Sequence, residues 1–202
     1  MKQTVLNAAC LWLIGTNISI GADRFDTIKQ EIAQSACTRF EFVSIIESEI
    51  FEATDSAIGT AYIARDGRFN VTVGTDQYLF DQNLLYSYSV DNNQVVIEKV
   101  SDTEGISREI SFITRLDEFY KTHTVQSGRS YRLIKRPSRE RNIPDSVTVF
   151  IASELSRLER LEYYDINEEL NVIVILNQQT SAECDERQFE PAFPDSVERI
   201  KL

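Results

Sequence analysis

The sequence predicts an α+β protein built on one large antiparallel sheet with helices laid on one face. Three observations carry this. From Arg39 onward, apolar residues recur at every second position through most of the chain, the period of half-buried strands. Turn-formers punctuate the first half of that pattern at Asp55-Ser56, Asp66-Gly67, Gly74-Thr75-Asp76, Asp81-Gln82-Asn83 and Asp91-Asn92-Asn93. Two stretches, residues 23–36 and 101–122, switch to helical spacing. A sheet of about eleven strands curls or closes. Helices segregated to one face of such a sheet make an α+β half-barrel. The helices and the sheet then enclose either a filled core or a cavity, and the pattern alone fits both.

The elements follow in order. Residues 23–36 place Phe25, Ile28, Ile32, Ala33 and Ala36 on one helical stripe, with Asp23 and Asp26 at the end where carboxylates suit the helix dipole. "RFEFVSIIESEIFE" then puts Phe40, Phe42, Ile46 and Ile50 on one face and Glu41, Glu47 and Glu49 on the other. "SAIGTAYIAR", "GRFNVTV", "QYLF", "NLLYSYSV" and "QVVIEKV" complete a meander of about six strands. Its inward row is read as Phe40, Phe42, Ile46, Ile63, Phe69, Val71, Val73, Tyr86, Tyr88 and Val90. In residues 101–122, Ile106, Ile110, Ile113, Leu116, Phe119 and Tyr120 recur at helical spacing, and His123 follows at the predicted helix end. Strands resume with "HTVQSG", "RSYRLIKR", "SVTVFIAS", "LERLEYYD" and "ELNVIVILN". The tail reads as a last edge strand, a place that tolerates Pro191.

Arg65 interrupts this logic. It ends the apolar row Gly59, Ala61, Ile63 with a permanent cation. A guanidinium there is stable only with its donors paired or in water.

Composition bounds the function. Lys and Arg number 21 against 32 Asp and Glu, a formal net charge of −11. So acidic a chain is a poor match for nucleic-acid phosphate or for anionic lipid headgroups. The one local exception is the stretch 136–142 with Arg136, Arg139 and Arg141, which reads as a solvated hairpin tip. The first residues have the order of a secretory signal peptide: Lys2, an apolar run over residues 5–14, then the small residues Ser19, Gly21 and Ala22. Cleavage is expected after Gly21 or Ala22, giving residues 1–21 as signal peptide and 22–202 as a single domain exported to the periplasm. Cys10 comes too early for a lipid-anchor signal. Export places Cys37 and Cys184 where disulfides persist. Whether they pair or stand apart stays open at this level.

Little in the sequence points to catalysis. The single His, His123, has no Ser, Cys or Asp at a telling spacing. No glycine-rich phosphate loop and no Cys-x-x-Cys occurs, and the carboxylates fall on outward strand positions. The expectation is a non-enzyme without metal or cofactor. A row of apolar and aromatic side chains facing one side instead suits an apolar ligand.

"GTAYIARDGRFNV" followed by "TDQYLFDQNLLYSYSVDNNQVVIE" resembles the LolA family of periplasmic lipoprotein carriers. Gly59, Tyr62, Arg65, Phe69, Asp81, Leu84, Tyr86 and Val95 stand at the positions of that pattern, and Phe189, Pro191 and Val197 resemble its closing segment. The resemblance implies an unclosed β-barrel with helices forming a lid over a hydrophobic cavity. It implies a monomeric periplasmic chaperone that takes the acyl chains of a lipoprotein from an inner-membrane releasing transporter to an outer-membrane receptor. The cavity residues would be Phe40, Phe42, Ile46, Ile63, Phe69, Val71, Val73, Tyr86, Tyr88, Ile110 and Ile113. Arg65 would latch the lid by hydrogen bonds to its backbone carbonyls. The cysteines and the absence of a Pro- or Met-rich lid loop depart from the pattern. They leave a binder of another lipid, or an envelope sensor or interaction module, as the alternative.

Overall fold

The computed structural model describes residues 23–48, 52–99, 116–126, 129–137, 143–153 and 157–202. The expected signal peptide, Ile110, Ile113 and most of the 136–142 stretch lie outside them. Helix α1 (Arg24–Gln34) leads into β1 (Cys37–Ser48) and β2 (Ala53–Ala64). The meander continues through β3 (Phe69–Val73), β4 (Asp76–Phe80), β5 (Leu84–Ser89) and β6 (Gln94–Lys99). A single helical turn, α2 (Leu116–Phe119), runs straight into β7 (Tyr120–Gln126). Then come β8 (Ser130–Lys135), β9 (Ser146–Ile151), β10 (Leu158–Tyr164), β11 (Leu170–Ser181) and β12 (Glu198–Lys201).

These twelve strands form one open sheet in the order β12-β6-β5-β4-β3-β2-β1-β11-β10-β9-β8-β7. Its centre is β1, paired antiparallel with β2 on one side and β11 on the other. The final strand is the exception to the antiparallel rule, because β12 joins the free edge of β6 in parallel. The predicted half-barrel of about eleven strands thus has one more, an open sheet with its two edges unjoined.

The helix predicted over residues 101–122 ends earlier than its periodicity suggests. Tyr120–Thr122 are already strand, with Tyr120 opposite Lys135 and Thr122 opposite Leu133. His123 therefore sits within β7 opposite Arg132, not at a helix end. The Thr-rich run "YKTHTVQ" favours extended backbone, and the open side of β8 gives its amides partners. Among the described residues, α1 is the one α-helix longer than a turn, so the predicted pair of lid helices is represented there by α1 and the short α2.

Among the described residues, the two larger cores lie on opposite faces of the sheet. The larger joins Phe25 and Ile28 of α1, Leu116 and Phe119 of α2, and inward residues of β1–β5 and β7–β11. We call this the inner face. The smaller core lies on the outer face, where Leu79, Tyr86 and Val95 meet Val197, with Tyr88, Ile97 and Phe193 packed around them. Residues 182–197 cross that face as an arm after β11. A 3-10 turn (Glu186–Phe189) seats Phe189 on Cys37 and Ala64, and Asn70 Nδ2 donates to the Gln188 carbonyl (2.7 Å).

Candidate functional site

The inner face holds a cavity built from four strands at the centre of the sheet. Phe40 and Phe42 come from β1, Ala61 and Ile63 from β2, Leu158 and Leu161 from β10, and Ile173 and Ile175 from β11. Most are two residues apart, as the pleat demands. Leu158 and Leu161 are three apart because the β10–β9 register shifts between Leu158 and Arg160, turning both leucines inward. No polar atom lines the wall. The space these side chains leave is small, about 20 Å³ or room for about one water molecule. That is far below the roughly 300–1,000 Å³ of small-molecule sites, so the wall forms a nearly closed apolar pocket.

Gly59 shapes one side of this region. It stands opposite Phe42 across the β1–β2 ladder. A Cβ there would lie 2.3 Å from Phe42 Cζ and 2.7 Å from the Thr72 carbonyl oxygen. Only glycine lets the Phe42 ring lie against the strand at that point.

Helix α1 packs on the same core through Phe25 and Ile28, both fully buried. Polar contacts hold it at both ends. At the N-terminus, the Asp23 carboxylate accepts from the Phe25 amide (3.1 Å) as a cap. The same Oδ1 accepts from the Tyr131 hydroxyl of β8, and the Tyr131 ring stacks on Phe25 with centroids 5.0 Å apart. Burial, then the bond to Asp23, pushes the Tyr131 phenol up to about 12. At the C-terminus, Arg65 Nε donates to the Ser35 carbonyl (3.0 Å) and Nη2 to the Gln34 carbonyl. These are the acceptors that a helix end leaves unpaired, and they lie at the negative end of its dipole. The Arg65 amide donates to the Ala36 carbonyl (3.0 Å), which fixes the strand end beneath the latch. Along the helix, Lys29 Nζ reaches Asp117 of α2 (2.7 Å) and Asp26 (2.9 Å).

Of the residues predicted to face a cavity, Phe40, Phe42 and Ile63 line it. Phe69 and Val71 are buried in the same core, and Val73 packs at its margin. Ile46 follows the inward phase of β1 but stands 38% exposed. Tyr86 and Tyr88 require correction: they point to the outer face and pack against Phe193 (centroids 5.9 and 5.2 Å). The inward residue of that strand in the core is Leu85, opposite Phe80. Both phases of "LLYSYS" are apolar enough to be buried, and the arm that covers the tyrosines is distant in sequence. Leu158, Leu161, Ile173 and Ile175 line the cavity without a sequence signal that marks them. In "NVIVIL" both phases are aliphatic, so alternation carries no direction there. In β10 the register shift hides the pair. Cys37 and Cys184 are brought together beside Phe189, both as thiols. Among the described residues, no group of His, Cys, Asp or Glu has the arrangement to hold a metal ion, and no helix is long and apolar enough to cross a membrane.

No family model matches the chain, and no curated protein matches it in sequence. Solved structures do match in fold. An uncharacterized conserved protein from Thermus thermophilus is 12% identical with a TM-score of 0.51, covering 88% of this chain and 98% of that one. A DUF1329 family protein from Desulfovibrio piger (13% identity, TM-score 0.48, 83% and 95% covered) and a LolA superfamily protein from Nitrosomonas europaea (9%, 0.45, 82% and 97%) are more distant. At such identities the likeness is one of fold alone. The chain shares its fold with the Thermus thermophilus protein; here that fold is a single open sheet with a helix packed on its inner face and fastened at both ends.

Proposed function

We propose that this protein is an envelope carrier that shelters acyl chains, those of a lipoprotein or of a free lipid, between α1 and the sheet. The observation that carries the reading is a wholly apolar pocket on the inner face, in the same core on which α1 packs with both ends fixed by polar bonds. Apolar burial beneath α1 is replaceable by acyl chains, since each buried CH₂ contributes about 0.8 kcal/mol. The polar bonds at its ends are weak, reversible and re-formed when cargo leaves. On this reading Arg65 is the latch, and the periplasm is the site of action after removal of residues 1–21. The donor and acceptor are an inner-membrane releasing transporter and an outer-membrane receptor.

The test is native mass spectrometry of protein purified in contact with membranes, followed by titration with a fluorescent fatty acid. Co-purifying lipid and saturable binding are expected. Ala61→Trp, which places a bulky ring in the pocket wall, should weaken binding about tenfold or more in the protein that remains folded, equivalent to about 1.4 kcal/mol. Absence of lipid together with no fatty-acid binding by the folded protein would rule the reading out. The second reading, a protein-binding module, draws on the outer face of β2 and β11. There Ile58 is 73% and Leu176 51% exposed, beyond the reach of the arm. Capture of a protein partner by a lipid-free form, lost in Ile58→Asp, would favour it.

A further inference from the structure

We propose that Cys37 and Cys184 form a disulfide that fastens the C-terminal arm to the root of α1. Cys37 is the first residue of the central strand, two positions after the Ser35 carbonyl that Arg65 grips. Its backbone is held on both sides, opposite Ala64 and Ser181. Cys184 opens the arm just beyond β11, ahead of the 3-10 turn. The two side chains share a small apolar cluster with Tyr62, Ala64 and Phe189. Close by, Arg68 Nη1 reaches Glu186 (2.5 Å) and its guanidinium lies over the Phe189 ring (5.0 Å). The near end of the arm is therefore already docked before any bond forms, and native packing brings both cysteines into one cluster.

The chemistry runs in two exchanges with an external disulfide oxidant, RSSR. Cys184, the more exposed thiol, loses its proton and attacks RSSR, releasing one RS⁻ and leaving a mixed disulfide. Cys37 then loses its proton and attacks the Cys184 sulfur, expelling the second RS⁻. The sum converts two protein thiols and one RSSR into one protein disulfide and two RSH. Burial pushes the Cys37 thiol up to about 12, which makes it a poor first attacker and suits it to the second, intramolecular step. The bond closes a loop of most of the described chain, the case in which a cross-link restricts the unfolded state most. It also ties down the arm that covers Tyr86, Leu79 and Val95 on the outer face. In an oxidising compartment the arm is locked. A reducing one leaves it held by Phe189, Phe193, Val197, β12 and the polar contacts of Arg68 with Glu186 and Asn70 with Gln188.

The full folded chain is treated with oxidised glutathione, and blocked thiols are mapped by alkylation and non-reducing peptide analysis. The expected product joins the Cys37 and Cys184 peptides, with the mass of the pair lower by two hydrogens and no glutathione retained. Peptide mapping separates this link from any involving Cys10. Dithiothreitol should reverse it and lower the Tm by about 5 °C or more. Cys184→Ser should abolish both the link and the reductant-sensitive Tm. Because that substitution is at the less buried position, its far-ultraviolet spectrum should stay that of the parent. Recovery of Cys37 and Cys184 as alkylatable thiols, or with one stable glutathione adduct on Cys184 and Cys37 still free, overturns the proposal. None of these readings involves lipid, so their failure leaves the carrier reading untouched.

Discussion

Arg65 shows how much one side chain position reveals in sequence and how much it hides. Its place at the end of an apolar row is legible, and so is its need for acceptors. The acceptors themselves, the Gln34 and Ser35 carbonyls, are reachable only through the family resemblance, since they lie some thirty residues earlier and meet Arg65 only after folding. Arg65 is exposed, so its bonds contribute little to global stability, under about 1 kcal/mol. Their effect is local. Arg65→Leu is expected to leave the urea midpoint nearly unchanged while amide exchange over Ile32–Ala36 quickens severalfold. Arg65→Lys, which keeps the charge but loses the fork, should fall between. Equal exchange in all three proteins would show that Arg65 does not hold the helix end. Gly59 is the opposite kind of residue, buried and unforgiving. Gly59→Ala puts a Cβ against both the Phe42 ring and the Thr72 carbonyl oxygen. The ring can move, but the backbone oxygen cannot move without disturbing the β2–β3 ladder. A loss of about 1–3 kcal/mol is expected by urea denaturation.

At the level of elements, α1 and most strands are legible because their periodicity is uninterrupted. Periodicity misleads where partners far along the chain decide which face is buried. Nothing local distinguishes Tyr86 and Tyr88 from Leu85, and a Phe193 more than a hundred residues later turns them outward. The apolar spacing of residues 101–122 runs on through Tyr120, while pairing with β8 claims that residue for the sheet. Similarly, Leu158 and Leu161 depend on a shift in pairing with β9 that no spacing rule expresses. The N-terminal fastening of α1 is a contact between elements and titrates as one. The Tyr131 phenol, ordinarily near 10, is raised to about 12 in the folded protein. The folded state therefore holds its proton more tightly than the unfolded chain. That stabilisation is complete below pH 10 and is lost as pH rises from 10 through 12. Burial also raises Tyr120 and Tyr86, which act in the same direction. Tyr131→Phe keeps the stack on Phe25 but removes the ionisable group and its bond to Asp23. It should cost about 1 kcal/mol at neutral pH and flatten part of the alkaline fall in stability. Chemical denaturation at pH 7, 10 and 11.5 separates these outcomes; an alkaline limb identical to the parent's would show that Tyr131 does not contribute to it.

The whole molecule divides its two faces between different tasks, and this arrangement can be tested by removing one without the other. The inner face carries α1 and the cavity, while the outer face beneath the arm carries a small filled core. Val197 is the plug of that core, packed with Leu79 and Val95, which are fully buried. Four residues later the chain ends its pairing along β6 as a short parallel strand. A protein ending at Asp195 loses both the plug and β12. Leu79 and Val95 then meet water, and β6 becomes an open edge. Losing one buried aliphatic side chain costs about 2–5 kcal/mol, and the lost ladder adds to this. For a domain of this size that corresponds to a fall in Tm of about 10 °C. Binding of a hydrophobic dye and a tendency to associate through the bare β6 edge should appear together. Acyl-chain binding, by contrast, should persist at temperatures where the shortened protein is folded, because the residues lining the cavity and the outer core that Val197 plugs are separate sets on opposite faces. Loss of acyl binding in step with the outer core would mean that the sheet transmits strain between its faces. Binding retained in the destabilised protein would establish that the arm serves the sheet's integrity and the cavity serves the cargo.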